Sequence, residues 1–209
     1  MAEQAAVLEP DSINPKAQQI LTAARQVFVE QGYGSASMDV IARTAGVSKA
    51  TLYAHFTGKD ALFAAMVGIE CRRLSAALDA PSFDESDVRA ALRQVAARFI
   101  EMLMTGRALA IYRIVVAETP RFPELGRIFF ETGPDRLLVR FADFLRRADE
   151  RGTLAVAEPR RAAGQFIGMV RGEVYLRRLL GIEPAAAEGE IERHIESCVD
   201  LFLSHYARR

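Results

Sequence analysis

Apolar residues recur along most of this chain every third or fourth position, the spacing of helices that pack by one face. The first run is Ile20, Leu21, Ala24, Val27 and Phe28. Asn14 can cap it, and Pro15 suits the first helical position because its missing N–H would have had no partner there. Gly32 and Gly34 are predicted to end that helix. Two short pieces follow: Ser37 can cap a helix running through Ala45, Gly46 supplies a tight turn, and Ser48 can cap a second helix ending near Phe56. Two brief helices about one glycine turn form a helix-turn-helix pattern.

Thr57-Gly58 breaks the chain, and a long helical pattern resumes from Lys59 to about Leu78. Further helices are predicted over roughly 86–105, 107–118, 122–131, 135–151, 159–181 and 188–206, separated at Pro81, Pro120 with Pro123, Gly133-Pro134, Gly152 with Pro159, and Pro184. Alternation suited to a strand occurs only weakly, at 153–157. The expected fold is all-α. Residues 1–13 read as a disordered tail, 14–60 as a three-helix helix-turn-helix domain, and 61–209 as a larger helical domain for ligand binding and dimerisation.

Composition narrows the function classes. Half of the 209 residues are apolar and 26% are charged, which excludes collagen-like, low-complexity and rod-like chains. Basic and acidic residues balance at 27 each, so a polyanionic partner must be recognised by a local surface rather than by overall charge. Cys71 and Cys198 are too far apart for a metal knuckle and too few for a disulfide scaffold, which points to a reducing compartment. The N-terminal segment is acidic where an export signal is basic, and the longest apolar runs are interrupted by Arg113 or Arg171. A cytoplasmic protein with no membrane span is the expectation.

Residues 20–68 read ILTAARQVFVEQGYGSASMDVIARTAGVSKATLYAHFTGKDALFAAMVG. This segment resembles the DNA-binding domain of the TetR family of bacterial transcriptional regulators, in its AcrR-like form. The matching residues are AAR-VF--QGY in the first helix, the S-----IA--AGVSK-TLY-HF core, and the following GK-ALF. They cover about a quarter of the chain.

The same residues have a physical reading. Ile41, Ala42, Ala45, Val47, Leu52 and Phe56 can fix the angle between the two short helices, with Ala42 and Gly46 small enough for close approach. Because Leu52 and Phe56 share one face, Lys49, Ala50 and Tyr53 turn outward, toward a major groove. Lys49 can reach a phosphate or guanine acceptors, Ser48 and Thr51 can donate to phosphate, and Ala50 allows close approach or contact with a thymine methyl. Tyr53 and His55 suit phosphate contacts, as does Lys59 at a helix start whose N–H groups favour an anion. Ser37, at the start of the first short helix, completes the DNA-binding set, and the resemblance assigns similar roles to these positions. The rival reading is a solvated helix pair used for packing alone. All three lysines, Lys16, Lys49 and Lys59, fall in this region, yet its net charge is small, which implies modest non-specific affinity.

In the TetR family the remaining helices resemble a body enclosing an inducer pocket. Phe99, Tyr112, Phe130, Phe141, Phe166, Met169 and Glu173 are the candidate ligand-binding residues, although ordinary core is the alternative for each. Glu173 is expected among Phe166, Met169 and Val170, as a partner for an arginine or a polar handle for a ligand. Gly164, Gly168 and Gly172 form a stripe on one helix at about 1 kcal/mol each relative to alanine. The resemblance suggests that the last two long helices pair with their twins in a homodimer; tight packing within one subunit is the alternative. His194, Cys198 and His205 share a face of the last helix but are spaced too widely for one ion, so no metal is expected. No catalytic constellation and no cofactor motif is recognised. The expected function is a repressor that binds a palindromic operator in double-stranded DNA as a dimer and is released by a largely apolar small molecule. An activator, a ligand-independent DNA-binding protein and, further off, an all-α enzyme are the alternatives.

Overall fold

A computed structural model describes residues 14–78, 87–182 and 189–208; the expected N-terminal tail lies outside them. The chain is helical throughout the described residues: α1 (Pro15–Ser35), α2 (Met38–Thr44), α3 (Lys49–His55), α4 (Lys59–Leu78), α5 (Val88–Leu103), α6 (Gly106–Glu118), α7 (Pro123–Thr132), α8 (Pro134–Glu150), α9 (Pro159–Leu180) and α10 (Glu190–Tyr206).

Local chemistry sets these boundaries. Asn14 accepts the Lys16 backbone N–H at 2.8 Å ahead of Pro15. Ser37 Oγ accepts from Val40 at 3.2 Å and Ser48 Oγ from Thr51 at 3.0 Å. Each such cap contributes about 1 kcal/mol by satisfying a donor that the helix leaves open. Gly32 takes φ 75°, ψ 161° and ends the regular helical run of α1 where a stop is expected, with one short turn to Ser35 beyond the break. The weak alternation at 153–157 becomes a single antiparallel bridge between Leu154 and Ala207, with the Ala155 N–H donating to Tyr206 O at 2.7 Å.

Among the described residues the helices assemble into two compact units, one from residues 14–72 and 110–133 and the other from 73–78, 87–109, 134–182 and 189–208. In the first, Ile20, Ala24, Phe28, Ile41, Leu52, Leu62 and Phe63 are buried together with Ile114, Val115 and Leu125. Besides α1, α2 and α3, this unit takes in the start of α4, most of α6 and α7. In the second unit, Phe141 stacks on Phe144 with centroids 6.0 Å apart, and Phe166 meets Phe141 at 5.4 Å and Phe202 at 5.1 Å. Burying such a ring contributes roughly 1.5–3 kcal/mol, so this cluster anchors α8, α9 and α10.

Helix α9 does not run through regularly. Gly172 sits at φ 47°, ψ −163°, and breaks the helical phase between Arg171 and Glu173. The three glycines predicted to share one stripe therefore do not. Gly164 and Gly168 have open space where a Cβ would stand, whereas Gly172 faces the His194 ring at 2.8 Å.

Candidate nucleic-acid interface

The geometry of α2 and α3 follows from the residues between them. Gly46 adopts φ 63°, and its N–H donates to Arg43 O at 3.1 Å while that of Val47 reaches Ala42 O at 3.0 Å. The turn is tied from outside as well. The Gln19 carboxamide on α1 donates to Ala45 O at 2.6 Å, satisfying a carbonyl at the end of α2. Sequence reading passed over Gln19, because nothing in local periodicity marks a contact 26 residues away.

Leu52 and Phe56 are buried, which turns the opposite face of α3 outward. On that face Ser48, Lys49, Ala50 and Tyr53 are exposed, Tyr53 to 51%. Ser48 Oγ and Thr51 Oγ1 lie 2.8 Å apart, so part of their hydrogen-bonding capacity is used locally. His55 is half-buried, with its ring 6.3 Å from that of Phe56. Lys49 does not extend freely. Its ammonium pairs with Asp39 on α2 at 2.5 Å, with both side chains still well exposed.

Lys59 is committed in another direction. Its ammonium donates to Tyr33 O at 2.9 Å and Gly34 O at 3.2 Å, closing the end of α1, and lies 4.8 Å from the centre of the Tyr33 ring. The Tyr33 hydroxyl donates to Asp60, and burial together with that carboxylate pushes the phenol well above its ordinary range. At this helix start, α4 can therefore offer an anion its backbone N–H groups, while the lysine side chain serves the junction with α1.

The candidate ligand residues separate into distinct places. Phe99, Phe141 and Phe166 belong to the core of the second unit, and Met169 packs against it half-buried. Tyr112 lies in the first unit with its ring edge-on to Phe129 at 5.8 Å, and Phe130 is 49% exposed. Glu173 takes one of its two expected roles, as partner of an arginine, but not among the apolar neighbours expected for it. It is an exposed residue paired with Arg177 at 2.7 Å, because the break at Gly172 rotates it away from the buried face that Phe166 and Val170 share.

His194 Nε2 lies 3.0 Å from Val170 O, a carbonyl next to the break, and 3.7 Å from Cys198 Sγ. Burial raises the Cys198 thiol above its ordinary value. His205 packs instead on the Tyr206 ring at 4.6 Å. Among the described residues no three His, Cys, Asp or Glu side chains converge as a metal site, and no helix is long and apolar enough to cross a membrane.

Residues 20–66 match the family described as bacterial regulatory proteins, tetR family, and residues 90–208 match the AefR-like transcriptional repressor, C-terminal domain. The solved structure of the Flavonoid-responsive Regulator FrrA is 40% identical, with a TM-score of 0.78 over 93% of this chain and 98% of that one. The HTH-type transcriptional repressor BepR of Brucella suis is 28% identical over 158 residues, 73% of this chain and 76% of BepR. The HTH-type transcriptional activator FasR of Mycolicibacterium smegmatis is 38% identical over 85 residues, which are 41% of this chain and 39% of FasR.

Proposed function

The chain belongs to the TetR family of bacterial transcriptional regulators, DNA-binding proteins rather than enzymes, and from that premise we propose that it is a homodimeric repressor released from a palindromic operator by a largely apolar aromatic molecule. The observation that carries this reading is the outward face of α3. Ser48, Lys49, Ala50 and Tyr53 stand on a helix whose opposite side is locked by Leu52 and Phe56, so a duplex meets side chains held in place before contact. Ser37, Thr51 and His55 flank that face as phosphate donors, and the N-terminus of α4 at Lys59 adds backbone N–H groups.

Repression is favoured over activation because the C-terminal match is to an AefR-like repressor domain, whereas the likeness to FasR covers 39% of that activator. For the dimer, support comes from α9: Gly164 and Gly168 leave open space, and Leu176 and Leu180 stand 51% and 63% exposed on the same helix. Two twofold-related recognition helices then require two half-sites about one helical turn apart. For the ligand, support comes from the flavonoid response in FrrA's name and from Phe99, Phe141, Phe166 and Met169, which offer ring faces and a soft thioether. Glu173, exposed and paired with Arg177, and Phe130, 49% exposed, are left out of this proposed set. The ligand shifts DNA affinity only through its differential affinity for the two arrangements of the dimer.

Duplexes are to be selected from a random pool with the purified protein and tested against scrambled controls. A two-half-site consensus is expected, with Lys49→Ala and Tyr53→Phe weakening binding while the melting temperature holds, and with a panel of flavonoids releasing the duplex. A selected consensus unaffected by both substitutions would overturn the α3 assignment. Failure of every flat aromatic compound to raise the melting temperature or release DNA would overturn the ligand class.

A further inference from the structure

The pairing of Lys49 with Asp39 has a meaning that the α3 face alone does not supply. Lys49 is the first residue of α3, which has no acidic residue in its first turn, so the cation stands at the positive end of a helix. Asp39 lies in the first turn of α2 and brings its carboxylate to 2.5 Å from the ammonium, across the gap between the two short helices. Both side chains are exposed, at 65% and 60%, so the pair sits on the open surface and is not core. An acidic side chain on a surface meant for phosphates is a cost that a purely electrostatic binder would avoid.

We propose that Asp39 is a positioning residue that aims Lys49 at base edges and keeps it off the phosphate backbone, so that the pair sets the ratio of operator to non-specific affinity. The inference rests on α3 being the groove-facing helix. An ammonium has three donors, and the carboxylate occupies one, leaving two for acceptors such as guanine O6 and N7. A free lysine samples many rotamers and follows any nearby phosphate, whereas a tethered one has lost that freedom before DNA arrives. Asp39 also repels phosphates that approach Lys49 from the backbone side, whatever their sequence. On a matching site the ion pair persists and directs the lysine. On random DNA it must break before the lysine gains a phosphate.

The test compares wild type, Asp39→Asn, Lys49→Ala and the double variant on a duplex selected by the wild-type protein and on a scrambled duplex of equal length, across a salt series. An exposed pair is worth only a few-fold in an equilibrium constant, so Asp39→Asn is expected to bind the scrambled duplex about two- to fivefold tighter. Its salt slope there steepens by about one unit, because one more phosphate is neutralised. Binding to the selected duplex does not tighten, so the affinity ratio falls by about threefold or more. Asp39→Glu, which keeps the carboxylate, restores most of the ratio.

In the Lys49→Ala background, Asp39→Asn leaves the ratio unchanged. Equal tightening on both duplexes, or no change on either, would reduce Asp39 to one charge among many and overturn the proposal. A ratio for Asp39→Glu as low as that for Asp39→Asn would also count against it. Failure of the α3 reading looks different: Lys49→Ala would then bind the selected duplex as wild type does, and any effect of Asp39→Asn would persist without the lysine.

Discussion

Gly46 and Gly172 both adopt the left-handed backbone that side chains resist, at φ 63° and 47°, yet the chain uses them in opposite ways. Gly46 stands in a turn with almost nothing near its missing side chain, the nearest atom being the Gln19 amide nitrogen at 3.9 Å. It serves geometry alone, letting α2 and α3 meet at the angle their small core demands. Gly172 interrupts a long helix, and the His194 ring occupies the space a Cβ would take, at 2.8 Å. It serves packing as well: the break frees the carbonyl of Val170, and the imidazole lies 3.0 Å from it. One glycine permits a connection, and the other admits a neighbouring side chain.

The largest effect that sharpens this contrast is expected from Gly172→Ala. Left-handed strain of about 1–2 kcal/mol adds to overpacking of about 1–3 kcal/mol, so urea denaturation should report a loss near 3 kcal/mol. In a His194→Ala background the packing part should vanish and the strain remain. Equal losses in both backgrounds would show that the imidazole does not fill that space.

Gly46→Ala should cost less, about 1–2 kcal/mol, because strain acts there without a clash. Its signature is functional: affinity for a selected duplex should fall further than stability, since the substitution rotates α3 against α2. His194→Ala alone comes next. It removes a hydrogen bond to Val170 O, and about 1 kcal/mol should be lost. Smallest is Glu173→Gln. An exposed pair with Arg177 predicts a change below about 0.5 kcal/mol by thermal melting, whereas a loss of several kcal/mol would mean that α9 runs unbroken and the carboxylate is buried.

The same contrast separates what the sequence made legible from what it did not. Gly46 was readable because Ser37 and Ser48 cap the helices on either side, and both caps form as hydrogen bonds to the third residue onward. Gly172 was not, because apolar residues continue on both sides of it and its partner, His194, lies on another helix. Glu173 was misplaced for that reason: a helical period carried through a break assigns the wrong face to the residues beyond it. Asp39 was overlooked as a partner for Lys49, since a contact ten residues away through a turn obeys no helical spacing. The extent of the first unit escaped as well. Ile114, Val115 and Leu125 signal burial by their periodicity, but periodicity does not name the core they enter. Helix ends are set by nearby atoms, and partners by the whole fold.

The distribution of lysines makes the first unit separately accountable to a protease. An endoprotease specific for lysine has only three bonds to cut, after Lys16, Lys49 and Lys59, and residues 60–209 contain none. Cleavage after Lys49 or Lys59 needs local opening of α3 or of the start of α4, and the Lys59 ammonium bound to the carbonyls of Tyr33 and Gly34 must let go before it can enter a protease pocket. Where local opening precedes global unfolding, the nicking rate is thus a clock for breathing of the first unit.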